Sequence, residues 1–267
     1  MAAPLPPPDS ATPNPSTDPS TILHAVSSAP PTAIVPTEQW SVESALALLP
    51  TPPPSTQPTS SLPFLHLLSR LKTTKREGWR RFGIGDGESI ADHMYRMSII
   101  TMLAPRSLSA RLNVPHCTKM ALVHDMAELL VGDITPADAV SKAEKGRREA
   151  DTMAFLCGGE GLLGLWGQGD QGRGLREVFE EYEEGVTLES RFVHDVDKME
   201  LLLQMVEYEK RGEGGLDLGE FTRVAKGVGL KEMKEWCREI LRERVEFWKG
   251  LGKTASMLDM TIEEEDV

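Results

Sequence analysis

The first 69 residues contain no lysine and no arginine; Arg70 is the first basic side chain, and all 29 lie from there onward. A secretory leader opens on a basic stretch and a mitochondrial transit peptide is arginine-rich, so neither is expected here. Long apolar runs are missing too. None approaches the roughly 18–20 residues that cross a bilayer, so no membrane span is expected. Cysteine is scarce: Cys117, Cys157 and Cys237 are odd in number and far apart. They form no disulfide framework, and a reducing compartment is the simplest home, cytoplasmic with the nucleus left open. Positive charge is in deficit, 29 Lys and Arg against 41 Asp and Glu, a net −12. That disfavours a nucleic-acid polymer as partner, while a small anion stays compatible with a local basic cluster.

Proline is lacking where the chain can fold. Sixteen of the 19 prolines fall in residues 1–63. Two regimes therefore meet near residue 60. Residues 1–60 read as a disordered Pro/Ser/Thr-rich tail that cannot bury enough apolar surface to offset chain entropy. Within it, Trp40, Val42, Ala45, Leu46 and Leu49 recur at helical spacing behind a possible cap at Ser41, so residues 40–49 read as a short helix. That helix either docks on its own body or engages a partner; the alternative is that the stretch is disordered with the rest of the tail. Residues 61–250 are long enough to bury one full core. Residues 251–267 read as an acidic C-terminal tail.

The body shows helical periodicity throughout and no sustained alternation of period two, which predicts an all-α fold. Helices are expected after Pro63, over Glu88–Leu103, Pro115–Val131, from Pro136 behind a Thr135 cap, and over Leu175–Glu184, Leu188–Lys210 and Leu230–Trp248. Residues 157–174 hold eight glycines and read as a flexible insertion.

The informative stretch is Ala121-Leu122-Val123-His124-Asp125-Met126-Ala127-Glu128. A helix this apolar should not hold His, Asp and Glu unless they are paired or bind an ion. On a continuous helix His124 and Glu128 share a side, and adjacent Asp125 can reach the same crevice. Imidazole with carboxylates suits a divalent ion such as Mn, Fe, Co or Zn. Two other places carry similar chemistry. Glu88-Ser89-Ile90-Ala91-Asp92-His93 puts a histidine near a helix start. Phe192-Val193-His194-Asp195-Val196-Asp197 puts acids in an apolar helix, and periodicity does not choose between Asp195 and Asp197. Lys75, Arg76, Arg80 and Arg81 form the sharpest basic cluster in an acidic chain.

The order H…HD…D in an all-helical body resembles the HD-domain phosphohydrolases. Arg76-Glu77-Gly78-Trp79, Glu88-to-His93, His124-to-Glu128, Gly132-Asp133-Ile134-Thr135-Pro136, Glu144-Lys145 and Asp197-Lys198-Met199-Glu200 resemble the HD-domain 5′-deoxynucleotidases in order and spacing. The resemblance covers roughly residues 62–248. It implies an HD-domain helical bundle with His93, His124, Asp125 and Asp197 as metal ligands and Glu128 as general acid or base. Arg76 would orient the phosphate, Trp79 would pack on the sugar, and Asp133 would hydrogen-bond the deoxyribose. It further implies a divalent cofactor (Mn²⁺ or Co²⁺, with Mg²⁺ possible), a deoxynucleoside 5′-monophosphate substrate, hydrolysis to deoxynucleoside and phosphate, and a homodimer.

The chemistry asks for the same residue types. Phosphomonoester hydrolysis at neutral pH needs an activated water, which a metal supplies, and an arginine fork fits phosphate oxygens. Two departures stand out: the glycine-rich 157–174, and Gly146 where similar sequences carry a bulkier residue. Competing readings keep the fold and take a triphosphate or cyclic phosphodiester, or make the body a non-catalytic nucleotide- or metal-binding module.

Overall fold

The computed structural model describes residues 40–54, 58–164 and 169–256. The tail before residue 40 and the end after residue 256, with the disorder expected of them, lie outside the described residues. Among the described residues there is no strand, only an isolated bridge between Lys75 and Ser89. The fold is all-α. The helices are α1 (Val42–Ala47), α2 (Leu62–Leu68), α3 (Glu77–Arg80), α4 (Ile90–Met102), α5 (Arg106–Ser109), α6 (Val114–Ala121), α7 (Glu128–Val131), α8 (Lys142–Cys157), α9 (Asp170–Glu184), α10 (Leu188–Arg211) and α11 (Lys231–Gly250). Tight 3₁₀ turns at Ser69–Lys72 and Gly219–Gly227 link them.

The centre is α10. Its apolar residues point several ways because α4, α6, α9 and α11 all pack on it. Phe192, Val193, Val196, Met199, Leu202 and Met205 are buried along it. Near its C-terminus Glu209 is also buried, and the fully buried Arg244 of α11 donates to both its oxygens at 2.8 and 2.9 Å. Arg244 also donates to Asp217 at 2.9 Å and to the Ser256 carbonyl at 2.6 Å, which ties down the described end of the chain. A buried charge survives only when its hydrogen-bonding capacity is met this fully.

Two helix expectations are corrected. The Pro115–Val131 stretch is not one helix. It breaks over residues 122–127, where backbone bonds tighten to i→i−3: Met126 N to Val123 O at 2.9 Å and Glu128 N to Asp125 O at 3.1 Å. Continuous apolarity hides this break, and it falls on His124 and Asp125. The segment at Thr135-Pro136 is a turn. Asp138 accepts from Thr135 N at 2.7 Å and from its hydroxyl at 2.9 Å, and α8 starts at Lys142 behind a Ser141 cap. An N-cap residue followed by proline signals a turn as well as a helix start. Among the described residues of the glycine-rich stretch, Leu162 and Leu163 are buried, and α9 begins at Asp170. A Cβ at Gly172 would sit 2.6 Å from the Cys157 carbonyl oxygen, so the glycine permits close packing.

Candidate active site

Four elements deliver the expected residues to one place. Ser89 caps α4 with a reciprocal bond pair to Asp92, which fixes His93 in the first turn. The tight turns before α7 present His124 and Asp125. The central helix α10 supplies Asp197. Arg76 comes from the residue preceding α3. His93 Nε2 lies 3.2 Å from Asp197 Oδ1 and 3.8 Å from Asp125 Oδ2, and His124 Nε2 lies 3.1 Å from Asp125 Oδ2.

A divalent ion fits this donor set. One donor atom from each of His93, His124 and Asp197 falls within 4.8 Å of the others. Ligands sharing an ion at about 2.0–2.2 Å stand about 3 Å apart when adjacent, and the His93–Asp197 and His124–Asp125 contacts, at 3.2 and 3.1 Å, have that spacing. Both Nε2 atoms are buried and make no hydrogen bond among the described residues. The other ring nitrogens are already used: His93 Nδ1 meets Glu200 Oε2 at 2.5 Å, and His124 Nδ1 meets the Ala121 carbonyl at 3.0 Å. Each imidazole is thus turned so that its free nitrogen faces the carboxylates. Against burial and the Arg76 charge, Glu200 and Asp197 raise His93 to about 10, a pull on a proton whose place a cation would take. Burial alone would raise Asp125, yet His124 and Arg76 beside it hold its carboxyl well below the usual range.

Glu128 opens α7 one short turn beyond the His-Asp pair. It is buried; Lys145 Nζ of α8 sits 3.2 Å from its Oε1, and its Oε2 has no hydrogen-bond partner. Burial first, then the Asp125 and Asp133 charges, push its carboxyl well above the ordinary value. Arg76 Nη1 lies 3.1 Å from Asp125 Oδ2 and 3.6 Å from Asp133 Oδ1. Gly132, at φ +80, ends α7 in a conformation that disfavours other residues. The turn brings Asp133 to the Glu77 amide, from which its Oδ2 accepts at 2.5 Å. Asp133 therefore caps α3 besides facing Arg76.

Arg76, Trp79, Asp125, Glu128, Asp133 and Lys145 line a cavity of about 740 Å³. Trp79 is both core anchor and wall. Only 2% exposed, it packs on Tyr208 and Phe221 with ring centroids at 5.2 and 4.7 Å, and its Nε1 donates to Glu88 at 2.7 Å. Gly146 also lines the cavity, and a Cβ there would meet nothing within 4 Å. Of the rival acids on α10, Asp195 stands apart: its carboxylate accepts from Gly229 N and Leu230 N at 2.9 and 2.8 Å, ahead of α11.

Sequence reasoning assigned no role to three residues that the structure places here. Glu200 orients His93 and is itself held by Arg96 at 2.6 Å. It lies one turn past Asp197, an acid in an apolar helix, which was the available signal. Lys145 pairs with Glu128 and, at 3.4 Å, with Glu149. Tyr182 of α9 packs its ring on His124 and points its hydroxyl at Asp197 Oδ2, 3.4 Å away. Nothing local in the sequence marks Tyr182.

The profile of the HD domain matches residues 68–236. The chain is 47% identical over 192 residues to the 5′-deoxynucleotidase hdd1 of Schizosaccharomyces pombe, covering 72% of this chain and 94% of that one. It is 43% identical over 150 residues to the human 5′-deoxynucleotidase HDDC2, covering 56% and 69%. Among solved structures, the HD domain-containing protein YGK1 superposes with a TM-score of 0.55 at 32% identity, over 78% of this chain and 95% of that one. The chain belongs to the HD-domain family, among its 5′-deoxynucleotidases.

Proposed function

We propose that this chain is a metal-dependent phosphomonoesterase that converts deoxynucleoside 5′-monophosphates to deoxynucleosides and phosphate. The observation that carries the reading is the pair of buried Nε2 atoms that make no hydrogen bond yet face two carboxylates at 3.1 and 3.2 Å, with a guanidinium 3.1 Å from one of those carboxylates. His93, His124, Asp125 and Asp197 would hold a divalent ion, Mn²⁺ or Co²⁺ by resemblance. Such an ion supplies a water of lowered pKa and draws charge from the phosphoryl oxygens.

The chain's own residues do the rest. Arg76 donates to the phosphoryl oxygens and sets the phosphorus beside the donor set; its fork geometry matches them. Glu128, with Oε2 unengaged, is the general acid or base that handles the proton between the attacking water and the departing 5′-oxygen. Trp79 forms the wall beside the sugar. Its ring is locked by Tyr208, Phe221 and Glu88, so it cannot swing aside for a 2′-hydroxyl, and exclusion by clash requires that rigidity. Asp133 accepts from the deoxyribose. A homodimer would use α4, whose outer face exposes Tyr95, Ile99 and Met102 at helical spacing, continued by the exposed Leu103 that caps the helix. Among the described residues no helix is long and apolar enough to cross a membrane; a cytoplasmic location is proposed with the rest.

Asp125→Asn tests the assignment. It removes the charge shared by His124, His93 and Arg76 while keeping the shape. The expected result is loss of bound metal together with loss of phosphate release from dAMP. Unchanged metal content and unchanged release would refute the site.

A further inference from the structure

Helix α1 lies outside the residues matched by the HD-domain profile, and no residue of it lines the cavity. It nevertheless packs on α7 and α8, the two elements that carry Glu128 and Lys145. Ser41 and Ser44 close a reciprocal cap that makes so short a helix persist. Trp40, Ala45 and Leu46 are buried in the contact.

The seat of Trp40 is specific. Its ring covers the guanidinium groups of Arg147 and Arg148, 5.7 and 5.5 Å from the ring centroid, and its carbonyl accepts from Arg147 Nη2 at 3.3 Å. Arg148 is fully buried. Its Nε donates to Glu144 at 2.9 Å, while Nη1 and Nη2 have no hydrogen-bond partner. A buried cation left short of partners is costly, and the indole face is the compensation on hand. Without that ring the guanidinium has every reason to turn toward water. Arg148 sits one turn after Lys145 on the same helix, so its position bears on where Lys145 points.

We propose that α1 is a brace for the catalytic carboxylate: through Trp40 it fixes α8 so that Lys145 holds Glu128 by Oε1 and leaves Oε2 unengaged for the substrate. Lys145 and Trp40 are positioning residues that act through Glu128. The inference rests on the functional reading above and adds a role for a segment beyond the matched domain.

The test is a double-mutant cycle in the full chain with metal present. Lys145→Met should lower kcat for dAMP by about 10-fold or more, the usual effect of losing a group that orients a site residue, with KM little changed. Trp40→Ala should lower kcat in the same direction, and Trp40→Phe should restore it. In the double variant, Trp40→Ala should cost nothing further, because its effect runs through Lys145. Hydrogen exchange gives a readout apart from activity: Trp40→Ala should speed exchange across Glu128–Val131 and leave α4 unchanged. Should Trp40→Ala fold poorly, Ser41→Ala loosens α1 while keeping the ring, and a smaller fall in kcat is expected. Losses that simply add in the double variant, or a Trp40→Ala protein with lowered Tm and wild-type kcat, would overturn the brace. A wild type silent on dAMP would instead bring down the functional reading, and this inference with it.

Discussion

Glu200→Gln probes the site from behind. The Glu200 carboxylate is buried, 2.5 Å from His93 Nδ1 and 2.6 Å from Arg96. It fixes which imidazole nitrogen faces the donor set and makes His93 a stronger donor. The amide keeps the shape and one acceptor oxygen but loses the charge, so His93 binds a cation less tightly. Replacing a group that orients a ligand in this way weakens metal affinity by about 10- to 100-fold. That corresponds to about 1.4–2.7 kcal/mol. Calorimetric titration of the metal-free protein with Mn²⁺ reads it directly. Phosphate release at saturating Mn²⁺ should recover most of the wild-type rate, since Arg76 and Glu128 are untouched. Wild-type affinity in Glu200→Gln would refute the claim that this carboxylate sets the metal site.

Two further predictions concern the rest of the fold. Arg244→Met leaves the buried Glu209 without its counter-charge, with only the Leu218 amide and Trp248 Nε1 still donating to it; such a break costs about 3–5 kcal/mol. At roughly 2–4 °C per kcal/mol for a domain of this size, scanning calorimetry should show a Tm lowered by roughly 6–20 °C, and a shift under about 2 °C would contradict the reading. Cys117, Cys157 and Cys237 are buried and free, and burial pushes each thiol up to about 12. A thiol reagent at pH 8 should therefore find none in the native protein and three after unfolding; one fast-reacting thiol in the native state would disprove this.

The helical architecture was legible because the body's apolar residues keep one period almost everywhere. The His124-Asp125 pair was legible because polar residues inside an apolar run demand an explanation. The geometry around them was not. The break over residues 122–127 leaves hydrophobicity unchanged, so only backbone bonding reveals it. Asp195 and Asp197 are equivalent by periodicity. What separates them is a contact 34 residues away, where Asp195 meets the Gly229 amide while Asp197 lies beside His93. Glu200, Lys145 and Tyr182 owe their places to partners distant in sequence, which no local pattern encodes. Trp79 shows the opposite limit: an indole reads as core or as wall, and the structure makes it both.

The central claim is a sugar-selective phosphomonoesterase, and one measurement addresses it. Metal-stripped protein is refilled with Mn²⁺ or Co²⁺ and offered dAMP, dGMP, dCMP and dUMP beside AMP and a deoxynucleoside triphosphate. The expected result is phosphate release from the deoxy monophosphates, little from AMP, and none without metal. Silence on every monophosphate with metal bound, or equal rates on dAMP and AMP, would contradict it.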